Sequence, residues 1–308
     1  MANLKELSKN IPERLCGGHR LCAGCGASIV VRQVLMGTKA PVITASATGC
    51  LEVATTIYPY TAWEVPFIHN AFENVAATIS GVETAYRALK KKGKIKKDIK
   101  FVAFGGDGGT YDIGLQSLSG ALERGHNFVY VCYDNEAYMN TGIQRSGATP
   151  KGASTTTAPS GKESYGKHQR RKDLTSIVAA HRIPYVAQCS ISHWNDLVTK
   201  SEKAFAADGP AFLNVISMCH RGWRFPQEQT VEIAKLAVET CFWPLYEITD
   251  GRLKITYKPK NKLPVSEWLK RQGRFKHLKK EEYLSVAKEI QKDLDEDWEN
   301  LLKRESLG

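Results

Sequence analysis

Residues 104–114 read FGGDGGTYDIG, an acid set among glycines directly after an apolar, strand-like run. Glycines in such a turn let the backbone come close to a phosphate, yet a carboxylate at Asp107 would repel one. The G-x-G-x-x-G pattern of dinucleotide binding is not met either: Gly106 and Gly108 fit, but Tyr111 stands where the third glycine belongs. The Lys-Ser/Thr pair of a P-loop is also missing. A divalent cation resolves the conflict, because Mg²⁺ takes hard oxygen ligands and bridges one or two protein oxygens to phosphate oxygens. Asp107 then supplies a charged oxygen, while Gly106, Gly108 and Gly109 allow the close approach. A second oxygen ligand should come from the end of the next strand, FVYVCYDNEAYMNTG, which runs into Asp134, Asn135 and a turn.

The cysteines offer a second chemistry. Cys22 and Cys25 form a lone C-x-x-C in RLCAGCG, a pattern compatible with zinc, a redox pair, an iron–sulfur site or none of these. A zinc ribbon brings a second C-x-x-C, which this chain lacks. Cys50 in ATGC and Cys219 in ISMCHRGWRF follow predicted strands in loop-like settings. All four could meet at one edge of a parallel sheet, and four thiolates are the ligand set of a [4Fe–4S] cluster. Cys132, Cys189 and Cys241 read as small buried apolar residues, and Cys16 is the rival ligand. His19 and His69 read as structural histidines ahead of active-site groups.

Strands are predicted at 41–46, 100–105, 127–133, 184–188 and 210–217, and helices at 26–37, 71–91, 112–124, 172–180, 192–207 and 229–240. Strand alternating with helix predicts a doubly wound α/β fold with a parallel sheet covered on both faces. Ligands bind such sheets at the carboxyl ends of the strands, where the glycine turn falls. Residues 146–172 are polar and long for a loop, which predicts a lid or a contact surface. The expected division is an α/β domain over 1–245 and a C-terminal arm over 246–308, packed on this subunit or a partner.

At 308 residues and 42% hydrophobic, the chain can bury a substantial core. MANLKELSKN lacks the apolar run of a signal peptide, and no later run has the length of a membrane span. A soluble, cytoplasmic protein is expected, with no membrane partner. The formal charge of +11 gathers in runs at 90–97, 166–172 and 270–280, read first as solvated faces and second as a docking surface for an acidic partner. Nucleic acid is not expected, because no zinc finger, RNP-type strand or helix-turn-helix spacing is present.

GDG followed by Asn135 resembles the Mg²⁺–thiamine diphosphate motif of thiamine-dependent enzymes. More closely, GDGGTYDIG…ALERGHNFVYVCYDNEAYMNTGIQRSGATP resembles the β subunit of 2-oxoacid:ferredoxin oxidoreductases, the pyruvate:ferredoxin oxidoreductase family, which includes oxalate oxidoreductase. The resemblance spans roughly residues 15–250 and reaches EWLKRQGRF near the end. It implies a fold of the thiamine diphosphate-binding type. It also implies that Asp107, the Asn135 side chain and the Ala137 carbonyl hold Mg²⁺, and that Asn140 serves catalysis near the thiazolium and substrate. The same likeness makes Cys22, Cys25, Cys50 and Cys219 the ligands of a [4Fe–4S] cluster beside the thiazolium, with Cys50 also bordering the cofactor.

The activity so implied is oxidative decarboxylation of a small 2-oxoacid, pyruvate foremost, with electrons passing through the cluster to ferredoxin. Coenzyme A takes the acyl group in members that make acyl-CoA. An α subunit, carrying the activating glutamate and the substrate arginine, and γ/δ-type subunits are the implied partners. Two departures stand out: Ala27 where many members have Glu, and CHRGW where the motif often reads Cys-Pro-Thr-Gly-Trp. They leave oxalate, 2-oxoglutarate, branched-chain 2-oxoacids and arylpyruvates open as substrates. Two readings of other classes also stand. A thiamine-dependent decarboxylase or synthase would leave the four cysteines idle, and a zinc-stabilised, non-catalytic binding subunit would need no labile sulfide.

Overall fold

The computed structural model describes residue 9 and residues 11–307. Its frame is eight strands: β1 (Val42–Ala47), β2 (Phe67–Asn70), β3 (Lys100–Gly106), β4 (Val129–Asp134), β5 (Tyr185–Ser190), β6 (Ala211–Ile216), β7 (Leu245–Thr249) and β8 (Arg252–Tyr257). They form one sheet in the order β2-β1-β3-β4-β6-β5-β7-β8. The first six pair in parallel, whereas β7 and β8 are antiparallel.

The central strands are apolar on both faces because both are covered. In β3, Val102 and Phe104 enter one core cluster while Phe101 and Ala103 enter the other; β4 divides in the same way, Val129, Val131 and Tyr133 against Tyr130 and Cys132. Helices α1 (Gly26–Leu35), α6 (Trp194–Ala206) and α8 (Thr230–Glu239) cover the first face with Val30, Val34, Leu197 and Ile233. Helices α3 (Val75–Lys91), α4 (Leu115–Glu123) and α5 (Leu174–Ala179) cover the second with Ile79, Leu118 and Leu174. The doubly wound reading of the sequence is borne out.

Three short helices and one long one complete the chain: α2 (Cys50–Thr55), α7 (His220–Trp223), α9 (Ser266–Leu269) and α10 (Leu284–Leu307). The expected boundary at 245 falls on the first residue of β7, which pairs with β5. The sheet therefore continues into the segment expected as an arm, through a hairpin whose turn, Asp250-Gly251, has both residues at positive φ. Beyond it, α10 buries Val286, Ile290 and Leu301 along its 24 residues. Among the described residues no helix is long and apolar enough to cross a membrane.

Candidate active site

β1, β3, β4 and β6 are consecutive in the sheet and parallel, so their carboxyl ends lie side by side. The four turns that leave them begin with Thr48, Asp107, Asn135 and Ser217. The residues singled out in the sequence for cation or cofactor binding lie on these turns or at the ends of the elements that flank them, Gly106 closing β3 and Cys50 opening α2, and Cys22 and Cys25 approach from just before α1.

After Asp107 the chain enters a π-helical turn, Gly108–Ile113, closed by a Gly114 N–H to Gly109 carbonyl bond of 2.8 Å. Such wide turns cluster at functional sites. A Cβ on Gly108 would lie 2.4 Å from the Tyr138 ring, so only glycine fits there. Tyr111, the residue that spoiled the dinucleotide pattern, turns inward and donates to Asp134 Oδ2 at 2.6 Å.

Three carboxylates are fully buried at this edge: Asp107, Asp134 and Glu136. Arg171 pairs with Asp134 at 2.7 Å and with Glu136 at 3.0 Å, and Arg274 pairs with Glu136 at 2.5 Å. Removing one partner of such a buried pair costs roughly 3–5 kcal/mol. Among the described residues Asp107 has no cationic partner; its donors are the Ser146 hydroxyl at 2.5 Å and the Asn135 N–H at 3.2 Å. Burial, and then the charge of Asp134, push its carboxyl well above the usual carboxylate range. The side-chain oxygen of Asn135 lies 2.9 Å from Asp107 Oδ1 and 2.8 Å from the Ala137 carbonyl oxygen. Three oxygens thus face one another, and a proton held by the Asp107 carboxyl is one way to relieve the contact with Asn135. A turned Asn135 amide relieves this by donating to the other two, and a cation relieves it by binding all three; the uncompensated charge of Asp107 suits the cation. Glu136, at φ 66, lies in the left-handed region between Asn135 and Ala137, and its two arginines offset the cost of that conformation.

Beside these oxygens a narrow cleft is lined by Gly49, Gly106, Gly108, Gly109 and Phe72, among others. It adjoins a cavity of about 270 Å³ whose wall includes all four thiols, Cys22, Cys25, Cys50 and Cys219. Cys50, Asn135 and Asn140 line both spaces. Among the described residues, no three or more His, Cys, Asp or Glu side chains close on a point that would hold a metal ion; the thiols border a void instead. Burial pushes the Cys25 thiol up to about 11 and Cys50 up to about 12, with the neighbouring thiols adding to both. Ala27, His220 and Arg221 also lie on this wall, so both departures from the family motif face the cysteines. Cys132, Cys189 and Cys241 are buried, as their settings predict. His69 pairs with the buried Glu52, whereas Nδ1 of His19 is buried without a partner among the described residues.

The family described as "Thiamine pyrophosphate enzyme, C-terminal TPP binding domain" matches residues 47–215. Pyruvate synthase subunit PorB of Thermotoga maritima is 57% identical over 315 residues, covering 99% of this chain and 97% of its own. The chain belongs to the β subunits of 2-oxoacid:ferredoxin oxidoreductases. Ketoisovalerate oxidoreductase subunit VorB of Pyrococcus abyssi, 44% identical over 97% of this chain and 96% of its own, marks the breadth of that family. A 2-oxoglutarate:ferredoxin oxidoreductase from Magnetococcus marinus has the same fold, with a TM-score of 0.56 at 19% identity over 72% of this chain and 79% of its own. As a β subunit of this kind, the chain is part of a thiamine diphosphate-dependent, multi-subunit enzyme that oxidises 2-oxoacids.

Several residues that shape the β-subunit site escape a reading of the sequence. Lys167 and Arg171 lie in a charge run expected as a solvated face. Lys167 is instead 3% exposed and donates to the carbonyls of Ser146, Gly147 and Thr149. The 146–172 loop is bridged internally by Gly152 N–H to Lys167 carbonyl and Lys167 N–H to Ala153 carbonyl bonds of 2.8 and 3.1 Å. Its first residue reaches the site through the Ser146 hydroxyl, which donates to Asp107, and its Ala148 and Ala153 are buried. Local sequence gives no signal for the pairing of Arg171: Asp173 stands two residues away, yet Arg171 finds its acids, Asp134 and Glu136, on β4 and the turn after it.

Proposed function

We propose that this chain carries thiamine diphosphate, one Mg²⁺ and one [4Fe–4S] cluster, and that its complex oxidises pyruvate. The observation that carries this reading is the shared wall: Cys50, Asn135 and Asn140 border both the oxygen-lined cleft and the four-thiol cavity. Asp107, Asn135 and the Ala137 carbonyl would hold Mg²⁺, and Gly106, Gly108 and Gly109 would admit a diphosphate to the backbone. Cys22, Cys25, Cys50 and Cys219 would hold the cluster, for which a void bordered by thiols is the fitting geometry. When bound, the thiamine group supplies an electron sink for decarboxylation and the cluster a one-electron acceptor beside it.

The protein's own part is to orient and exclude. Asn140, exposed at the junction of the two spaces, would hydrogen-bond the substrate; Gly108 under Tyr138 keeps the cleft narrow; Asp107 neutralises part of the cation's charge. An α subunit would complete the site with the groups that activate cofactor and bind the substrate carboxylate. Ferredoxin would receive the electrons and coenzyme A the acyl group. Pyruvate is favoured because similarity to a pyruvate synthase subunit exceeds that to the ketoisovalerate subunit.

The test is EPR on the anaerobically purified complex, frozen after mixing with pyruvate, oxalate, 2-oxoglutarate or buffer. A reduced-cluster or radical signal with pyruvate alone is expected. A signal only with another acid changes the substrate and keeps the machinery. Silence even after dithionite, with zinc in place of iron, overturns the redox reading.

A further inference from the structure

Arg274 belongs to the segment after β8, far in sequence from every residue of the proposed centre, yet its side chain is only 3% exposed and reaches both halves. Nη2 lies 2.5 Å from Oε2 of Glu136, the residue between Asn135 and Ala137. The guanidinium carbon sits 3.9 Å from the centre of the Trp223 ring, and Nε donates to Gln272 Oε1 at 2.9 Å, which fixes its plane. Trp223 ends α7, the helix that starts immediately after Cys219, and Cys219 Sγ accepts from the Gly222 N–H at 3.4 Å. The Trp223 indole N–H in turn donates to the Asn135 carbonyl at 2.8 Å. The contacts close a ring: Arg274 to Glu136, along the chain to Asn135, across to Trp223, and back to Arg274. The backbone reinforces it through Gly273 N–H to the Arg224 carbonyl at 3.0 Å.

We propose that Arg274 is a positioning residue that holds the Asn135–Ala137 turn and the Cys219 helix at one fixed spacing, so that the diphosphate half and the cysteine half of the centre are coupled through it. This rests on the assignment of the two halves given above. Only arginine serves, because a flat guanidinium stacks on an indole and pairs with a carboxylate at once, whereas a lysine ammonium is a point donor without a face. Its charge also reaches Cys219, where it acts against the burial that raises the thiol.

The experiment uses the purified complex with Arg274→Lys or Trp223→Phe in this subunit. The first keeps the charge and loses the plane; the second keeps a ring and loses the donor to Asn135. Two readouts are taken on each: fluorescence titration with thiamine diphosphate and Mg²⁺, and EPR of the dithionite-reduced complex with and without thiamine diphosphate. Expected is a cofactor affinity about tenfold weaker or worse together with an altered cluster line shape, at an iron content and melting temperature close to wild type. Variants that match wild type in both readouts, or that change one readout alone, overturn the proposal. If the lysine variant fails to assemble, the phenylalanine variant decides by the same criteria. A wild-type complex without iron defeats the assignment of the four cysteines, an outcome seen before any variant is made.

Discussion

The Ser146 hydroxyl holds Oδ2 of Asp107 at 2.5 Å while Oδ1 lies against Asn135. Oδ2 is thereby committed to Ser146, while Oδ1 accepts only the longer Asn135 N–H bond and is the oxygen toward the proposed cation. Ser146→Ala should let the carboxylate rotate and weaken Mg²⁺-dependent thiamine diphosphate binding about 10–100-fold, the usual cost of losing an outer-shell partner. Titration calorimetry on the complex measures this; an unchanged affinity would show that Asp107 needs no orientation.

Asp107→Asn tests the charge itself. In metal-free protein the buried carboxyl binds its proton more tightly than in the unfolded chain, so the stability it contributes is present at low pH and is lost as pH rises through its raised value. Thermal melts in EDTA should therefore show wild type losing stability from pH 4.5 to 7.5 relative to the amide variant. The same variant should retain no cofactor in Mg²⁺. Parallel pH profiles with full cofactor retention would remove Asp107 from the cation site.

Cys50→Ser should lower the iron content of the complex and leave the fold intact, because the thiol lies on a cavity wall at the start of α2 and is only partly buried. Cys16→Ser is the control: Cys16 packs against the first core cluster and is absent from that wall. Equal iron loss in the two variants, measured with acid-labile sulfide, would reopen the ligand set in favour of the rival.

What the sequence disclosed and what it hid follow from how local each signal is. The acid among glycines, Asn135 at the end of the next strand and the four cysteines are each announced within a few residues, and all fall at one sheet edge. The five long apolar runs declared themselves as strands because both faces are buried. β2 did not, being four residues directly after Pro66, nor did β7 and β8, although Asp250-Gly251 between alternating segments marks a hairpin. The chief loss was among charges. Lys167, Arg171 and Arg274 sit in basic runs that look solvated, and their carbonyl and carboxylate partners on other elements appear only when the chain is folded.

Lys167 supplies the last prediction, and its sign follows from burial. Among the described residues its ammonium meets three carbonyls and no carboxylate, and burial, followed by the charges of Arg145 and Arg171, lowers its pKa to about 8. An unfolded lysine titrates near about 10.4, so between these values the unfolded chain binds the extra proton and stability rises with pH. Lys167→Met removes that dependence and leaves the Ser146, Gly147 and Thr149 carbonyls without this donor, at about 1–3 kcal/mol per unsatisfied group. The stability of wild type minus that of the variant should accordingly widen from pH 7.5 to 9.5 in urea melts. Since Ser146 hangs from this clamp, cofactor affinity should fall in the variant as well. A difference that stays constant or shrinks with pH would mean that Lys167 remains charged in the fold, held by its carbonyls alone.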